Sequence, residues 1–409
     1  MNKKQSSYRK RWIGKRVREA LKIARIVVIS GARQTGKSSF VLNEKPFNNW
    51  RYLTLDKLDI LSQAERDPSL LISGEDNLVI DEIQKSPYLL SEIKYQSDKN
   101  PERKFILTGS ANLLLMKKVS ETLAGRVLYF DLRPFAISEW HRKNPSNLFT
   151  RIFNGEFPKH IKIHSFELES YLFKGLLPPL LKIRSKADAT QWWEGYTKTY
   201  LERDLRDISE ISRLADFKSL MEMLALRTGS ILNESGIARE INLSQPSVHR
   251  YINLLETSNL FIRLQPYLKN KKKRLTKSPK AYFLDPGLTT YLAGYRTPSE
   301  IPDTYKGFLF ETLILSHLFI YSALNKFNIF YWRTRGGREK EVDFVLEEKG
   351  KTIGIEVKYK NNINYNDIQN LADFISLSKK TTMGIIVYTG KEVIQFSKNI
   401  FALPCYAIL

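Results

Sequence analysis

The sequence predicts an α/β protein in which a parallel sheet covered by helices is followed by a helical domain with a winged helix and by a second α/β domain. Three observations lead to this prediction. Short apolar runs alternate with helical stretches over residues 26–135, a glycine-rich motif follows the first run, and a helix-turn-helix pattern precedes further strands. The 409 residues, 42% of them hydrophobic, are enough for two or three cores.

The composition favours a polyanionic partner. The chain has 65 Lys and Arg against 43 Asp and Glu, a formal charge of +22, which suits nucleic acid or an anionic membrane surface. The most apolar stretch, 308–324, is interrupted by Glu311, Ser316 and His317, so we expect a buried helix and no membrane partner. No secretory signal is recognisable and the single cysteine, Cys405, excludes an internal disulfide, so a cytoplasmic location is expected.

Residues 1–25 form a basic segment. Ten Lys and Arg residues stand against one acid, Glu19, and Trp12, Val17 and Leu21 recur at nearly helical spacing. The pattern predicts an amphipathic helix. Its charged face either is solvated, with the helix packed on the following domain, or contacts nucleic acid.

Residues 26–140 are predicted to be a P-loop domain. Its apolar runs are 26–29, 52–55, 78–80, 105–107 and 127–130, and their alternation with helical stretches predicts parallel strands. Residues 141–210 are mainly helical in pattern, with Pro178 and Pro179 as interruptions, and are interpreted as a lid or connector.

The motif at residues 31–38, GARQTGKS, fits G-x-x-x-x-G-K-[ST] between a predicted strand and a predicted helix. Gly31 and Gly36 allow backbone N–H groups to turn towards phosphate oxygens. Lys37 is expected to contact the β and γ phosphates and Ser38 to bind Mg²⁺. The residues expected to hold ATP are Gly31, Ala32, Arg33, Gln34, Thr35, Gly36, Lys37, Ser38 and Ser39.

Candidate catalytic residues follow the later strands. Asp81 and Glu82 end an apolar strand, which places Asp81 to hold the magnesium ion and Glu82 to polarise the attacking water. Thr108 and Ser110 either contact the γ phosphate or water, or simply form a strand-to-helix turn. Arg126 is interpreted either as an arginine finger, for its own site or for that of an adjacent subunit in a homo-oligomer, or as part of a structural ion pair.

Residues 211–295 are predicted to form the winged helix. Two helices at 231–241 and 245–255 flank a turn capped by Ser244, and the runs 260–264 and 281–284 provide wing strands. DNA is the favoured partner, but winged helices also dock proteins or cover ATPase sites, and the basic tract is alternatively a solvated loop. The residues expected at nucleic acid are Gln245, Ser247, Arg250, Lys271, Lys272, Lys273 and Arg274.

Residues 296–409 are predicted to form an α/β domain with strands at 342–346, 352–357 and 383–388. Asp343, Glu356 and Lys358, with Glu311 on the preceding helix, are similar to the PD-(D/E)xK nuclease arrangement. In that arrangement Asp343 and Glu356 bind a second Mg²⁺ or Mn²⁺ and the lysine positions water. The alternatives are ordinary surface charge, or a nuclease-like fold without cleavage activity.

A family resemblance covers most of the chain. The segments GARQTGKS, LVIDEIQKSP, FILTGSANLLL, LAGR and YLERDL, with SQPSVHRYINLLE, SPKAYFLDPGL and EVDFVLEEKGKTIGIEVK, resemble a large group of bacterial and archaeal AAA-type ATPases that carry an uncharacterised C-terminal domain. The resemblance implies an AAA-like core, a winged helix and a nuclease-like end domain. The function expected is Mg²⁺-dependent ATP hydrolysis, nucleic-acid binding and metal-dependent cleavage; the alternative is an ATP-driven switch or docking protein whose nuclease-like domain is inactive.

Overall fold

The first third of the chain forms the predicted parallel sheet. In the computed structural model its five strands pair in the order β2-β3-β4-β1-β5, all parallel. The strands are Ile26–Ser30 (β1), Arg51–Thr54 (β2), Leu78–Asp81 (β3), Phe105–Thr108 (β4) and Val127–Asp131 (β5). Each begins within one residue of its apolar run, because such runs are buried on both faces of a parallel sheet.

The structure describes residues 8–109, 119, 121–157, 166–199, 214–268, 270–274, 277–334, 339–377 and 381–409. The segment YLERDL at 200–205 and Ser110 therefore lie outside the described residues.

Helices cover both faces of this sheet. On one face, Val17 of the first helix packs with Val27 and Ile29 of β1 and with Phe40; on the other, Ile26 and Val28 pack with the helices that precede β3 and β4. Residues 14–20 of the basic segment therefore form a helix, and its apolar side belongs to the core of this domain. The helices are Gly14–Ala20 (α1), Lys37–Asn43 (α2), Leu58–Arg66 (α3), Pro68–Leu71 (α4) and Leu89–Lys99 (α5).

A helical region follows β5. Its aromatic residues, among them Phe149, Trp193 and Phe217, belong to one large core that continues into the C-terminal domain. The helices are Ile137–Trp140 (α6), Leu148–Phe153 (α7), Leu168–Lys174 (α8), Pro178–Lys182 (α9), Lys186–Thr199 (α10), Leu214–Leu226 (α11) and Pro286–Leu292 (α15).

The helix-turn-helix pattern corresponds to Glu234–Glu240 (α12) and Gln245–Thr257 (α13), where Ser244 caps α13 by accepting the N–H of Ser247. Two antiparallel strands follow, Phe261–Leu264 (β6) and Lys280–Phe283 (β7), with the short helix Lys271–Arg274 (α14) between them. The predicted helix at 231–241 begins three residues too early, because Ile231 instead pairs with Lys280 as a β-bridge.

The C-terminal domain is a mixed sheet with a buried helix on one face. The six strands pair in the order β12-β13-β11-β10-β9-β8, with β10, β11 and β13 parallel. The elements are Asp303–Asn325 (α16), Asn328–Arg333 (β8), Glu341–Glu348 (β9), Lys351–Lys358 (β10), Gln369–Leu377 (α17), Thr381–Tyr388 (β11), Ile394–Ser397 (β12) and Ile400–Pro404 (β13).

Helix α16 is buried, as predicted from its polar interruptions. Within the described part of the chain it alone has the length and composition of a membrane span, and 67% of its apolar window is buried inside the protein, as is common for a core helix. Glu311, Ser316 and His317 are all buried.

Candidate functional site

The phosphate-loop motif lies at the carboxyl edge of the parallel sheet, between β1 and α2. Gly31 is needed because a β-carbon there would lie 2.4 Å from the carbonyl oxygen of Leu132. Gly36 has φ 92°, which strains any other residue, and it directly precedes α2. The loop therefore has the curved backbone that brings amide groups towards a phosphate.

Lys37 lies inside this curve. Its buried ammonium donates to the carbonyl oxygens of Gly31 at 2.9 Å and Ala32 at 3.0 Å. Thr35 also donates to the carbonyl of Ala32, at 2.9 Å, and so fixes the turn. Phosphate oxygens are stronger acceptors for an ammonium than backbone carbonyls, so the donor set fits a triphosphate.

The other loop residues differ in exposure. Gln34 is exposed with φ 64°, Arg33 and Ser38 are half-buried, and Ser39 is exposed on the first turn of α2. Ser38 therefore lies at the start of the helix beside Lys37, where the motif places its magnesium-binding hydroxyl.

Asp81 and Thr108 come together at the same edge of the sheet. The Thr108 hydroxyl donates to one carboxylate oxygen of Asp81, and the Tyr52 hydroxyl donates to the other at 2.6 Å. These contacts follow from the strand order, because β3, which ends in Asp81, lies between β2 and β4. Strand β4 in turn lies beside β1, which leads into the phosphate loop. Thr108 thus ends the strand between Asp81 and the phosphate loop.

Glu82 has an unusual backbone conformation, with φ 59° and ψ 40°. A left-handed conformation costs a non-glycine residue of the order of 1 kcal/mol, and such conformations concentrate at functional sites. The side chain is half-buried and accepts a hydrogen bond from Gln84.

Arg126 lies at the opposite edge of the sheet. It precedes β5, whose last residue Asp131 pairs with Ser30 beside the phosphate loop. Five strand residues separate the two edges, roughly 16 Å. Arg126 forms a two-point ion pair with Asp98, at 2.8 and 3.1 Å. The structure therefore fits the interpretation of Arg126 as part of a structural ion pair. It does not fit an arginine finger that acts on the phosphate loop of the same chain.

Residues from two other regions contact the phosphate loop. Arg11, 5% exposed, donates to the Thr35 carbonyl at 3.0 Å and pairs with Glu139 of α6 at 3.2 Å. From the helical region, a β-carbon on Gly36 would lie 3.8 Å from Pro178 of α9. Helix α9 of the helical region thus lies close to the loop.

The start of α13 is exposed. Gln245 and Arg250 are on the surface, and Ser247 is half-buried with its hydroxyl 2.8 Å from that of Ser244. Lys272 is exposed; nothing is described of the side chains of Lys271 and Lys273.

The prediction that Arg274 grips phosphate is wrong for the conformation described. Its guanidinium is 8% exposed, makes a two-point contact with Glu347 of β9 at 2.9 and 3.2 Å, and lies over the rings of Tyr267 and Phe330. The segment between β6 and β7 also contacts β8, since the Tyr331 N–H donates to the Gln265 carbonyl at 3.1 Å. The segment packs on the C-terminal sheet because aromatic and charged partners are available there.

The C-terminal carboxylates lie in one buried cluster. Glu356 accepts a hydrogen bond from Lys358 at 2.7 Å, and Asp343 accepts the N–H of Val357 at 2.7 Å. Glu311 accepts from the hydroxyl of Tyr282. The strand alternation that puts Glu356 and Lys358 on one face, together with the antiparallel pairing of β9 and β10, produces this grouping.

Sequence reasoning missed two members of this group, Lys280 and Glu341. Lys280 of β7 lies 3.2 Å from Glu311, 2.6 Å from Glu341 and 3.9 Å from Asp343. A lysine in the otherwise apolar strand KAYF is the signal that could have identified it, since a buried lysine needs an acidic partner.

The crowding of acids shifts the pKa values of this cluster. Burial, assisted by Asp343 and opposed by Lys280, raises the pKa of Glu311 to about 7. Burial and Asp343 raise the pKa of Glu356 to about 8, against the effect of Lys358. Burial lowers the pKa of Lys280, but Glu311 and the other acids outweigh it and raise the net value.

The arrangement does not fit a bound divalent cation. Among the described residues no group of three or more His, Cys, Asp or Glu side chains is placed to hold a metal ion. The expected second metal at Asp343 and Glu356 therefore has no coordination shell here: Lys358 is bonded to Glu356, the Val357 N–H is bonded to Asp343, and the Lys280 ammonium lies 3.9 Å from Asp343.

Three family models match successive parts of the chain. Residues 24–141 match a family described as AAA domain, residues 165–299 match Domain of unknown function (DUF8612), and residues 306–408 match Domain of unknown function (DUF4143).

Relatives of similar length are known. Uncharacterized proteins of Mycobacterium bovis and Mycobacterium tuberculosis are each 29% identical over 401 residues, which is 96% of this chain and 83% of theirs. Among solved structures, the Walker-type ATPase of Pyrococcus abyssi aligns with a TM-score of 0.45 at 17% identity, over 68% of this chain and 94% of that one. The match at residues 24–141 and the geometry of the phosphate loop identify an AAA-type ATPase domain, and the chain ends in a DUF4143 domain.

Proposed function

We propose that this protein hydrolyses ATP with Mg²⁺ and uses the nucleotide to control nucleic-acid binding. The proposal depends on one observation above the others, that the Lys37 loop and the Asp81–Thr108 pair lie at one edge of one sheet, with Glu82 beside them. A phosphate cradle and a neighbouring carboxylate pair are the parts that phosphoryl transfer to water requires.

Each residue at this edge of the sheet has a proposed role in ATP hydrolysis. Lys37 and the loop amides would bind the β and γ phosphates, and Ser38 and Asp81 would hold the magnesium ion. The ion supplies neutralisation of phosphate charge. Glu82 would accept a proton from the attacking water, and Thr108 would keep the Asp81 carboxylate oriented.

Two variants test the ATPase. Lys37→Ala is expected to weaken ATP binding, and Glu82→Gln to keep binding but lower turnover by about 10²-fold or more, because its amide accepts no proton. Calorimetric ATP binding and phosphate release are the measurements, with Glu92→Gln on α5 as the control. Normal turnover in Glu82→Gln means that another residue is the base.

We further propose that α12, α13 and the β6–β7 pair form a winged helix that binds DNA through the start of α13. The exposure of Gln245 and Arg250 on a capped helix supports this, since such a helix enters the major groove by its N-terminal residues. Arg250→Ala is expected to weaken DNA retention about tenfold, whereas Lys218→Ala, an exposed cation on α11, is the control. Retention that does not fall as salt rises contradicts nucleic-acid contact.

The C-terminal domain has two candidate roles. Helix α16, strands β8 to β11 and the Asp343, Glu356 and Lys358 set support a PD-(D/E)xK-like fold with metal-dependent cleavage. The bonding of Lys280 within the same set favours the alternative, a switch or docking domain without cleavage.

Incubation of DNA with Mg²⁺ or Mn²⁺ separates these roles. Cleavage by the wild type that is lost in Asp343→Ala and Lys358→Ala supports a nuclease. If wild type and variants all leave every DNA form intact, the switch is the better account.

A further inference from the structure

The carboxylate of Asp81 is held at both of its oxygen atoms by hydroxyl groups from the two neighbouring strands. Tyr52 of β2 donates to Oδ2 at 2.6 Å, and Thr108 of β4 donates to Oδ1. Asp81 is only 3% exposed, so these two hydroxyls fix the plane of its carboxylate. The sequence motifs do not identify Tyr52 as part of this site.

The pairing of β2 with β3 explains why a long side chain makes this contact. Thr54 is the residue of β2 that pairs with Asp81, and Tyr52 pairs with Val79, two residues earlier. Position 52 therefore lies roughly 7 Å before the level of Asp81, a distance that the phenol of a tyrosine spans. The ring of Tyr52 packs against the same core as Val79, so its packing does not depend on the hydroxyl.

We propose that Tyr52 is a positioning residue for Asp81, because its hydroxyl fixes the orientation of the carboxylate that would hold the magnesium ion of MgATP. The inference rests on the proposed ATP hydrolysis. A carboxylate has about four lone pairs, and the two hydroxyls use one on each oxygen, so acceptor sites for a cation remain. Mg²⁺ is usually bound by one or two carboxylates together with phosphate oxygens of the nucleotide, so one well-oriented aspartate suffices.

Removal of the Tyr52 hydroxyl should weaken the metal site without removing a ligand. The loss of a hydrogen bond to a metal-binding carboxylate typically lowers metal affinity by roughly 10- to 100-fold. In Tyr52→Phe, Oδ2 of Asp81 loses its donor while Thr108 still binds Oδ1, so the carboxylate gains freedom to rotate. Binding of ATP without metal should be unaffected, because it depends on Lys37 and the amides of the phosphate loop.

Calorimetric ATP binding by the full chain, in EDTA and over a range of Mg²⁺ concentrations, tests this role. For Tyr52→Phe we expect the Mg²⁺ concentration that gives half of the metal-dependent gain in ATP affinity to rise about tenfold, while the affinity in EDTA matches that of the wild type. Electron paramagnetic resonance of Mn²⁺ bound together with ATP provides a second measure of metal binding. Tyr129→Phe, at a 40% exposed tyrosine of β5 in the same sheet, is the matched control.

A double-variant cycle separates positioning of Asp81 from a structural role of Tyr52. In the Asp81→Asn background, Tyr52→Phe should have no further effect on the Mg²⁺ requirement, and a further rise there overturns the proposal. An unchanged Mg²⁺ requirement in Tyr52→Phe also overturns it, as does an equal loss of ATP affinity with and without Mg²⁺. Failure of the wild type to bind ATP contradicts the proposed ATP hydrolysis and this inference together, and it is distinguished because it appears without any substitution.

Discussion

At the scale of single residues, Glu356 makes stability depend on pH. One carboxylate oxygen is bonded to Lys358, and the other has no donor among the described residues. Because the folded pKa of about 8 is above that of an unfolded glutamate, the folded state holds its proton more strongly. Stability from this group is complete below about pH 4.5 and falls as the pH rises through about 8.

Glu356→Gln is therefore expected to raise the melting temperature of the C-terminal domain at pH 8, because the amide stays neutral, and to change it little at pH 5. An increase of several degrees corresponds to about 1–3 kcal/mol. Scanning calorimetry at both values measures it, with the exposed Glu392→Gln as control. A lower melting temperature at pH 8 would show that the ion pair with Lys358 outweighs burial.

At the scale of elements, the segment before α1 supports the phosphate loop. Arg11 binds the Thr35 carbonyl, the carbonyls of Arg133 and Pro134, and the carboxylate of Glu139. The basic segment predicted to contact solvent or nucleic acid thus places one of its cations in the interior. A buried guanidinium is tolerated there because its two terminal nitrogens donate to backbone carbonyls and Glu139 supplies an opposite charge.

Arg11→Gln is expected to raise the ATP concentration needed for half-maximal hydrolysis about tenfold and to lower stability, since the loop loses its donor and Glu139 its partner. Adding Glu139→Gln should restore stability but not ATP affinity. ATP titrations and melting curves of the single and double variants distinguish a positioning role from a purely structural one. Recovery of both properties in the double variant contradicts positioning.

A helix or strand could be predicted from the sequence where its buried residues recur at regular spacing along the chain. The strands β1 to β5 and helix α13 followed from apolar runs and a serine cap. Strand order did not follow, because the insertion of β4 between β1 and β3 depends on pairing across many residues. Strands β8, β12 and β13 were not predicted, and the burial of Lys280 among acids was not predicted either, because only its tertiary partners distinguish it from the exposed Lys272.

At the scale of the whole molecule, helix α6 joins the ATPase domain to the C-terminal domain. The N–H of Ile137 donates to Nε2 of His317 on α16 at 3.0 Å, and the N–H of Ser138 donates to the carbonyl oxygen of Leu409 at 2.9 Å. Nδ1 of His317 is 2.8 Å from the Leu313 carbonyl, so the ring is neutral with its proton on Nδ1. Burial lowers the pKa of His317 to about 4.

Acid is expected to loosen this junction. A folded pKa below that of an unfolded histidine means that stability is complete above about pH 6.5 and is lost as the pH falls towards about 4. In His317→Gln the glutamine carbonyl still accepts the Ile137 N–H, and part of the pH dependence of stability should be lost. The control His249→Gln, at an exposed histidine, should retain that pH dependence. Melting temperatures between pH 4 and 7 measure the difference; identical slopes for all three proteins contradict the assignment.

The position of Pro178 close to Gly36 has a consequence for how the chain responds to its nucleotide. Helix α9 begins close to the phosphate loop, and it belongs to the same continuous core as α16 and β10. Because close-packed interiors transmit displacement with little compression, we expect a shift of α9 at the phosphate loop to be passed on to the packing of the C-terminal domain.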